Sequence, residues 1–292
     1  MAQQQTKKLA SLAAKRRAGN ITAYVILIIV SLIWILPFTF LVLQSFDCGT
    51  NTSISSNIIP EVWGFGNFKY LFSAETNFLK WYFNTFIIAL FVCIGQTAMQ
   101  FMMAYALSRF RFRLRKGLMN AMLVLGMFPG FLTMIVLYEV LSKFGFVGDN
   151  TVPGLIIVSI ASSGMGYYVA KGFLDTLPKS LDEAAMVDGA TRFQIFYKVI
   201  IPLCKPIVIY IILTSFMGPW GDFVFAYKLA NHAQAGMNVA TGLQDWLVGA
   251  NLKLHFKHYC AAGVVVSIPV VTLFMFLQKY YVEGVTGGAV KG

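Results

Sequence analysis

Residues 177–203 form the segment whose residue types and spacing most clearly indicate a functional surface. Ser180 lies three residues before Glu183, which is the spacing of a capping box and predicts a short helix over residues 181–188. Gly189 then supplies the left-handed residue with which helices commonly end. Ala184 and Ala185 keep this helix slim, so another protein surface can approach it closely.

The second half of this segment predicts another short helix with an aromatic face. Thr191 and Gln194 have the spacing of a second capping box. Apolar side chains then recur at helical spacing, and they are Phe193, Phe196, Tyr197 and Ile200. Pro202 and Pro206 break or kink the chain beyond them. An exposed apolar stripe of this kind is unfavourable in water unless other protein surface packs against it. The protein's own helices or another protein could provide that cover, and the residues leave both alternatives open.

Constellations for catalysis or metal binding are not evident in the sequence. The four cysteines contain no C-x-x-C pair, and His255 and His258 have no acid or thiol partner nearby. There is neither a nucleophile–base pair nor a phosphate-binding loop. We therefore predict a protein that is not an enzyme and binds no metal.

The two short helices of residues 177–203 are called the hairpin below. Composition predicts the kind of elements that must position it. The 292-residue chain is 58% hydrophobic and 12% charged, with a mean hydropathy of +0.69. Soluble domains average about 25% charged residues, and a globule of this size could not bury so much apolar surface. These values exclude a soluble enzyme, a disordered chain and a secreted disulfide scaffold. They predict an all-α integral membrane protein.

Six apolar runs are each long enough to cross a hydrocarbon layer of about 30 Å as a helix. They cover residues 21–46, 82–107, 118–141, 152–174, 207–227 and 259–280. Pro129 and Gly130 predict a kink in the third. We predict a membrane domain over residues 21–283 that contains the hairpin, after a basic segment at 1–20 and before a glycine-rich tail at 284–292.

Charge distribution predicts the orientation of these spans. The net charge is +11, and with the N-terminus inside, the inner segments contain 17 Lys and Arg residues and the outer segments 6. Positive residues concentrate in cytoplasmic loops, so both termini are predicted to be cytoplasmic. No basic stripe is interleaved with base-stacking aromatics, so no nucleic-acid partner is expected. Aromatic residues suited to an interfacial belt are Trp63, Tyr70, Trp81 and Trp246.

The hairpin resembles the EAA loop of bacterial ABC importer permeases. The matching residues are Glu183, Ala184, Ala185, Asp188, Gly189, Ala190, Ile201 and Pro202. Val199 and Ile201 stand where the family's I-x-L-P ending prefers Ile and Leu, and both keep apolar bulk. Residues 220–223 (WGDF) are similar to the family's W-N-E-F segment, from which Gly221 and Asp222 depart. Residues 277–292 look like its C-terminal tail, and the likeness points to the carbohydrate, MalG-like branch.

This resemblance implies a type I ABC importer permease fold with six transmembrane helices in the bacterial inner membrane. It implies a homologous second permease subunit, two ATP-binding subunits and an extracytoplasmic sugar-binding protein as partners. No cofactor is expected on this chain, because ATP and Mg belong to the ATPase. The residues expected to couple to the ATPase are Glu183, Ala184, Ala185, Asp188, Gly189, Phe193, Phe196, Tyr197 and Pro202. Those expected to contact it from the tail are Gly284, Gly287, Gly288 and Lys291.

A substrate path is expected near residues 218–222, where Gly and Pro interrupt the fifth apolar run. Interrupted backbone at membrane depth lines protein or water, and an acid there is a functional candidate. Flat aromatic faces suit a sugar, so the candidates are Trp220, Asp222, Tyr167 and Tyr168. Ordinary kinking and packing is the alternative, and the sequence favours neither.

Other functions remain open at this stage. An ABC permease for a different solute fits most of the motif. A secondary transporter that works alone is disfavoured, because such proteins tend to carry several ionisable residues at mid-membrane depth and inverted repeats. Here Glu139, Asp175 and Asp222 fall near the ends of apolar runs, and no repeat is evident.

Overall fold

The computed structural model describes residues 2–49, 57–163, 166–249 and 251–289, with side chains between residues 19 and 280. Almost every element in these ranges is helical, and their β pairing is one isolated bridge between Asp47 and Trp63. The α-helices are α1 (Ala2–Ser45), α2 (Gly66–Leu71), α3 (Phe78–Arg109), α4 (Arg115–Gly126), α5 (Gly130–Lys143), α6 (Thr151–Ala161), α7 (Gly166–Thr176), α8 (Ser180–Val187), α9 (Arg192–Gln194), α10 (Ile201–Leu203), α11 (Lys205–Met217), α12 (Val224–Ala230), α13 (Val239–Gln244) and α14 (Asn251–Ala289). A π-helix over Ile195–Ile200 joins α9 to α10.

Candidate membrane spans agree in place with the six predicted apolar runs. Four are long, apolar helical segments, and they are Gly19–Ser45, Phe78–Arg109, Gly148–Thr176 and Asn251–Tyr280. Two more are bent pairs: α4 meets α5 at 98°, and Arg192–Leu203 meets Lys205–Trp220 at 84°. The described residues therefore contain four spans, or six if each bent pair crosses as one.

Prolines lie at both sharp bends. Pro129 precedes α5 with φ −57° and ψ 123°, so the predicted kink is a complete break between two helices. Cys204 has φ −94° and ψ 13°, and Pro206 follows within the first turn of α11. A proline disfavours helical backbone at the residue before it and donates no hydrogen bond to the preceding turn. The interruption at residues 218–222 is confirmed, because α11 ends at Met217 and a 3-10 turn follows over Gly218–Trp220.

The C-terminal helix differs from the expected glycine-rich tail. Backbone of α14 continues as helix through Gly284, Gly287 and Gly288 to Ala289. The glycines of the predicted tail therefore do not end this helix. Glycine lowers helix propensity by about 1 kcal/mol per residue, but extending an existing helix is far easier than nucleating one. Lys291 lies outside the described residues.

Helix α3 is the axis on which the rest of the protein packs. It contacts α6, α7 and α11 along its 32 residues, a length of about 48 Å. Its N-terminal half contributes Phe78 and Trp81 to one apolar cluster, and its C-terminal half contributes Phe101 and Tyr105 to another. A third cluster around Ile88 lies between them. The two ends of α3 thus define two ends of the molecule.

At the N-terminal end of α3, aromatic side chains form a packed cluster. Trp81 and Trp246 are buried and meet edge to face with ring centroids 6.0 Å apart. Tyr70 stacks on His258 at 3.9 Å. Trp63 remains exposed. The predicted interfacial belt is therefore wrong for Trp81 and Trp246, because the short helix α13 presents the bare backbone of Gly242 as a flat surface for the Trp81 ring.

Gly242→Ala is expected to destabilise the protein by about 1–3 kcal/mol, the usual cost of overpacking. A Cβ atom at this position would overlap the Trp81 indole, which is itself buried. Thermal unfolding in detergent measures the effect. Gly172→Ala is the matched control, since Gly172 also lies in a helix and an added Cβ meets nothing within 4 Å. Equal unfolding temperatures for the two variants would contradict the close packing described.

The same end of the molecule contains a buried ion pair between the first and last long helices. Asp47 Oδ2 lies 2.8 Å from Lys257 Nζ, with side-chain exposures of 2% and 11%. Asp47 Oδ1 accepts a 2.9 Å hydrogen bond from the Gly49 amide, and Lys257 Nζ donates to the Gly49 carbonyl at 3.0 Å. Asn67 Nδ2 donates to the carbonyls of Ser45 and Asp47. This network attaches the end of α1 to α14 and α2.

Candidate functional site

The first arm of the predicted hairpin is α8, which begins one residue earlier than expected. Helix spans Ser180–Val187, and the residue before it, Lys179, already has helical φ and ψ. No side-chain hydrogen bond caps this end, so the predicted capping box of Ser180 with Glu183 is wrong. The amide of Asp182 bonds to the carbonyl of Lys179, because the helical turn starts before Ser180. Glu183 is consequently exposed.

The elbow and the start of the second arm match their predictions. Gly189 has φ +79°, the left-handed region that glycine enters without steric cost. The Ala190 amide donates to the Ala185 carbonyl at 3.0 Å, which closes the end of α8. The second capping box is confirmed in both directions: Gln194 N donates to Thr191 Oγ1 at 3.3 Å, and Thr191 N donates to Gln194 Oε1 at 2.8 Å.

The apolar stripe of the second arm divides between two faces. Phe196 packs on Tyr105 with centroids 4.9 Å apart, and Ile200 is completely buried. Phe193 and Tyr197 point outward, 73% and 43% exposed, with ring centroids 5.3 Å apart. The prediction of a single face is wrong, because the segment winds as a π-helix whose wider turn separates side chains spaced for an α-helix. One pair packs under the bundle, and the other is left uncovered.

The exposed edge of the hairpin combines small, acidic and aromatic side chains. Its exposed members are Glu183, Ala184, Asp188, Gly189, Phe193, Tyr197 and Pro202. Ala185 is half-buried, since it packs on the cluster around the C-terminal half of α3. Slim alanines beside outward aromatic rings form a surface on which another protein could pack closely.

Side chains at the C-terminal end of α3 attach the hairpin to the bundle. Arg109 Nε lies 2.9 Å from Asp182 Oδ2, without the alignment of a hydrogen bond. Arg109 Nη2 donates to the Leu177 carbonyl at 3.2 Å. Tyr105 Oη donates to the Arg192 carbonyl at 3.4 Å. Arg109 was not among the residues predicted from the sequence for this site. The available signal was an acid, Asp182, at a helix position that faces the bundle.

A cleft of about 670 Å³ lies between this attachment and the hairpin. Charged residues line it, and they are Arg109, Arg111, Lys179, Asp182, Glu183 and Arg192. The Arg192 guanidinium also stands 5.2 Å from the ring centroid of Phe110. The cleft is open and predominantly basic, which suits contact with a partner more than enclosure of an apolar ligand.

A polar cavity of about 240 Å³ lies beside the middle of α3. Polar residues from four parts of the chain line it, and they are Gln96, Ser159, Thr214, Ser215, Asp222 and Asn238. Gln96 Nε2 donates to the Ser159 carbonyl at 2.6 Å, and Asn238 Nδ2 donates to the Asp222 carbonyl at 2.7 Å. Sequence prediction found only Asp222. Gln96, an amide inside an apolar run, was the signal available for the rest.

The four residues predicted for a substrate path do not come together. Asp222 lines the cavity, and its carbonyl accepts the hydrogen bond from Asn238. Trp220 instead packs against Tyr82 at 5.4 Å, in the cluster at the N-terminal end of α3. Tyr167 is completely buried in the cluster that contacts the hairpin, and Tyr168 Oη donates to the Met119 carbonyl at 2.8 Å. The side chains of Tyr167 and Tyr168 thus belong to the apolar cluster on which the hairpin packs.

Comparisons with known proteins agree with this architecture. Residues 100–287 match the family described as the inner membrane component of binding-protein-dependent transport systems. The chain is 33% identical to the galactooligosaccharides transport system permease protein GanQ of Bacillus subtilis (strain 168), over 97% of this chain and all of that protein. It is also 33% identical to the maltodextrin transport system permease protein MalD of Streptococcus pneumoniae (strain ATCC BAA-255 / R6), over 97% and 99%.

More distant likenesses extend the same relationship. The maltose/maltodextrin transport system permease protein MalG of Yersinia pestis is 34% identical over 73% of this chain and 71% of that protein. The fold matches a crystal structure of a bacterial ABC transporter involved in the import of the acidic polysaccharide alginate. That match has a TM-score of 0.75 at 23% identity and covers 91% of this chain and 97% of that one. The resemblance stated from the sequence motifs is confirmed, and the chain belongs to the family of inner membrane components of binding-protein-dependent transport systems.

Proposed function

We propose that this chain is a permease subunit of an ATP-driven importer that takes up a sugar or oligosaccharide across the bacterial inner membrane. Support for the solute class comes from the galactooligosaccharide, maltodextrin and maltose permeases to which the chain is similar. A solute-binding protein on the outer side delivers the solute. A homologous second permease subunit completes the path, and two ATP-binding subunits supply the energy.

The proposed topology has six crossings and places both termini in the cytoplasm. It treats each bent helix pair as one span. It also places most Lys and Arg residues inside, as the positive-inside rule requires. Lys205, next to the hairpin, lies 3.7 Å from the ring centroid of Tyr280 near the end of α14. The C-terminal end of α14 and the hairpin therefore share one side, which the topology assigns to the cytoplasm.

The hairpin is the proposed coupling element to the ATPase, and its exposed edge is the observation that carries the proposal. Phe193 and Tyr197 are outward aromatic rings that need a partner surface, while Glu183 offers a charged contact. Gly189 fixes the angle between the two arms. A small rigid hairpin can transmit a rigid-body movement between two packed states. ATP and Mg bind to the ATPase in this assignment, and this chain remains non-catalytic.

The C-terminal end is proposed as a second contact with the ATPase. Gly284, Gly287 and Gly288 continue α14 beyond the last span and on the hairpin's side. Glycines in a helix allow close backbone approach by a neighbouring protein. The contact assignment for Lys291 rests on the sequence motif alone.

The polar cavity beside α3 is the proposed contribution of this chain to the solute path. Hydroxyl and amide groups suit the hydroxyls of a sugar, and Asn238 and Gln96 hold the wall in place. Trp220 lies just behind this wall, next to Pro219, and its role is structural support of the interrupted span. Tyr167 and Tyr168 support the hairpin instead.

Reconstitution of the complete complex in proteoliposomes tests the proposed function. ATP hydrolysis and uptake are measured with binding proteins loaded with galactooligosaccharide, maltodextrin, peptide or phosphate. We expect stimulation only by a sugar-loaded binding protein. Stimulation by a peptide or phosphate complex would assign another solute. Uptake that continues without ATP hydrolysis would overturn the importer assignment in favour of a stand-alone transporter.

Ser215→Ala provides a test of the solute path. Ser215 Oγ is buried behind the cavity wall without a hydrogen-bond partner among the described residues, so it can bond to solute only after the wall moves during transport. A hydroxyl that bonds to solute contributes about 0.5–1.5 kcal/mol, so we expect the half-saturating solute concentration for uptake to rise about two- to tenfold. Folded stability should not fall. Ser267→Ala, at an exposed serine of α14, is the control, and identical half-saturation in both variants would exclude contact at Ser215.

A further inference from the structure

We propose that Arg109 is the positioning residue through which movement of the hairpin reaches α3, by its buried ion pair with Asp182. The inference rests on the proposed coupling function and names the residue pair that transmits it. Arg109 is the last residue of α3, and Asp182 lies in the first turn of α8. The pair therefore joins the end of one long span directly to the short helix that faces the partner.

The guanidinium of Arg109 holds two parts of the hairpin at once. Its Nε lies 2.9 Å from Asp182 Oδ2, and its Nη2 donates to the Leu177 carbonyl at 3.2 Å. Side-chain exposures are 5% for Arg109 and 12% for Asp182. A guanidinium is planar and presents its donors in a fixed fork. If α8 rotates, the Arg109 guanidinium and the end of α3 must therefore move with it. Otherwise the buried charges of Arg109 and Asp182 are pulled apart.

Burial within α8 distinguishes this pair from ordinary packing. Asp182 is the one buried residue of the eight-residue helix, and the neighbouring positions are exposed or half-buried. A buried carboxylate is costly unless it is paired, and an apolar side chain would anchor the helix at lower cost. The ion pair instead sets the distance between α8 and the end of α3. The hairpin is thus held where the contact is most specific, on the helix with the exposed Glu183 and Ala184.

Neighbouring links support α3 as the recipient of the movement. Ser108 Oγ donates to Asp175 Oδ1 at 2.6 Å, and Asp175 also pairs with Lys171, so the span before the hairpin is attached to the same turn of α3. Tyr105 Oη reaches the Arg192 carbonyl in the second arm. One turn and a half of α3 thus contacts the chain before, within and after α8. The middle of the same helix forms the wall of the polar cavity through Gln96.

The test uses the complete complex in proteoliposomes and measures uptake per ATP hydrolysed. Arg109→Gln and Asp182→Asn are each expected to lower this ratio about tenfold, within the usual range of coupling free energies. Arg109→Lys keeps the charge but loses the fork, and a smaller loss is expected. The double variant Arg109→Gln with Asp182→Asn should be no worse than either single variant, because both remove the same link. Arg113→Gln, at an exposed arginine of the turn after α3 and outside the lining of the cleft, is the matched control.

The outcomes separate this proposal from the coupling function on which it rests. The charge-exchanged variant, Arg109→Asp with Asp182→Arg, is expected to recover at least about a third of the ratio if the link is ionic. Complexes that assemble and keep the wild-type ratio in Arg109→Lys and Asp182→Asn would overturn the proposal. If Gly189→Val then still uncouples transport, the coupling role of the hairpin stands without Arg109. If Gly189→Val is also fully coupled, the coupling function itself fails.

Discussion

Gly189→Val is expected to reduce solute uptake by about 100-fold, near the upper end of measured coupling energies, while membrane insertion and complex assembly remain normal. Gly189 ends α8 with φ +79°. A β-branched residue held in this region is strained by about 1–3 kcal/mol. An added Cβ atom would meet nothing within 4 Å, so the backbone, not a clash, carries the effect. Relief of this strain changes the angle between α8 and the second arm.

Gly189→Asn is the matched control for this prediction. Asparagine adds a side chain of similar size, but it enters the left-handed region far more readily than valine does. It should therefore retain most of the uptake. Uptake and ATP hydrolysis are measured in proteoliposomes, and the amount of assembled complex is measured by size-exclusion chromatography. Equal transport by the valine and asparagine variants would show that the elbow angle is not required.

Asp47→Asn is expected to destabilise the folded protein by about 3–5 kcal/mol, because it leaves the buried Lys257 ammonium without its counter-charge. The loss removes the attachment between the end of α1 and α14. Thermal unfolding of the purified subunit complex measures it. Glu75→Gln, at an exposed acid of the loop between α2 and α3, is the control and should change little. A second variant, Asp47→Asn with Lys257→Met, should recover part of the loss.

The pH dependence of this pair follows from the pKa of Asp47. Burial raises that pKa, but the ion pair with Lys257 and the amides of Gly49 and Val62 outweigh burial and hold it below its ordinary value. Its stabilising contribution is therefore complete at neutral pH and is lost as the pH falls through the lowered pKa. The unfolding temperatures of wild type and Asp47→Asn should converge in that acidic range. A constant difference at every pH would contradict the ion pair.

Local signals in the sequence predicted the hairpin better than its attachment. The left-handed turn at Gly189 and the Thr191–Gln194 capping box involve only residues close together in the chain, so residue type and spacing were enough to predict them. The Ser180 cap failed because the helical turn begins at Lys179, which spacing cannot reveal. The pairing of Arg109 with Asp182 joins positions far apart in the chain. Only the tertiary fold, in which α8 packs on the π-helix beside the end of α3, brings these residues together.

Length and hydropathy predicted the apolar spans but not which aromatic rings are buried. All six runs correspond to candidate spans, because length and hydropathy are properties of each segment alone. Trp81 and Trp246 were placed at a membrane interface, but bare glycine backbone and each other's rings bury them. Tyr167 was one candidate for a solute path, with ordinary packing as the alternative, and its ring is completely buried in the cluster that supports the hairpin. In each case the ring packs against a residue from another segment of the chain, and the sequence of one segment does not reveal that residue.

The π-helical winding of Ile195–Ile200 gives the second arm of the hairpin a second available register, that of an α-helix. A π-turn contains about one residue more than an α-turn, so rewinding these six residues as α-helix would advance the arm by one position. That step is about 1.5 Å of rise and 100° of rotation, and it would carry Phe193 to a different side of the hairpin. Spin-label distances between residues 193 and 116, with and without ATP, would record the step as a discrete change. Unchanged distances would mean that the winding is static and that the outward pair of rings keeps a single direction throughout the cycle.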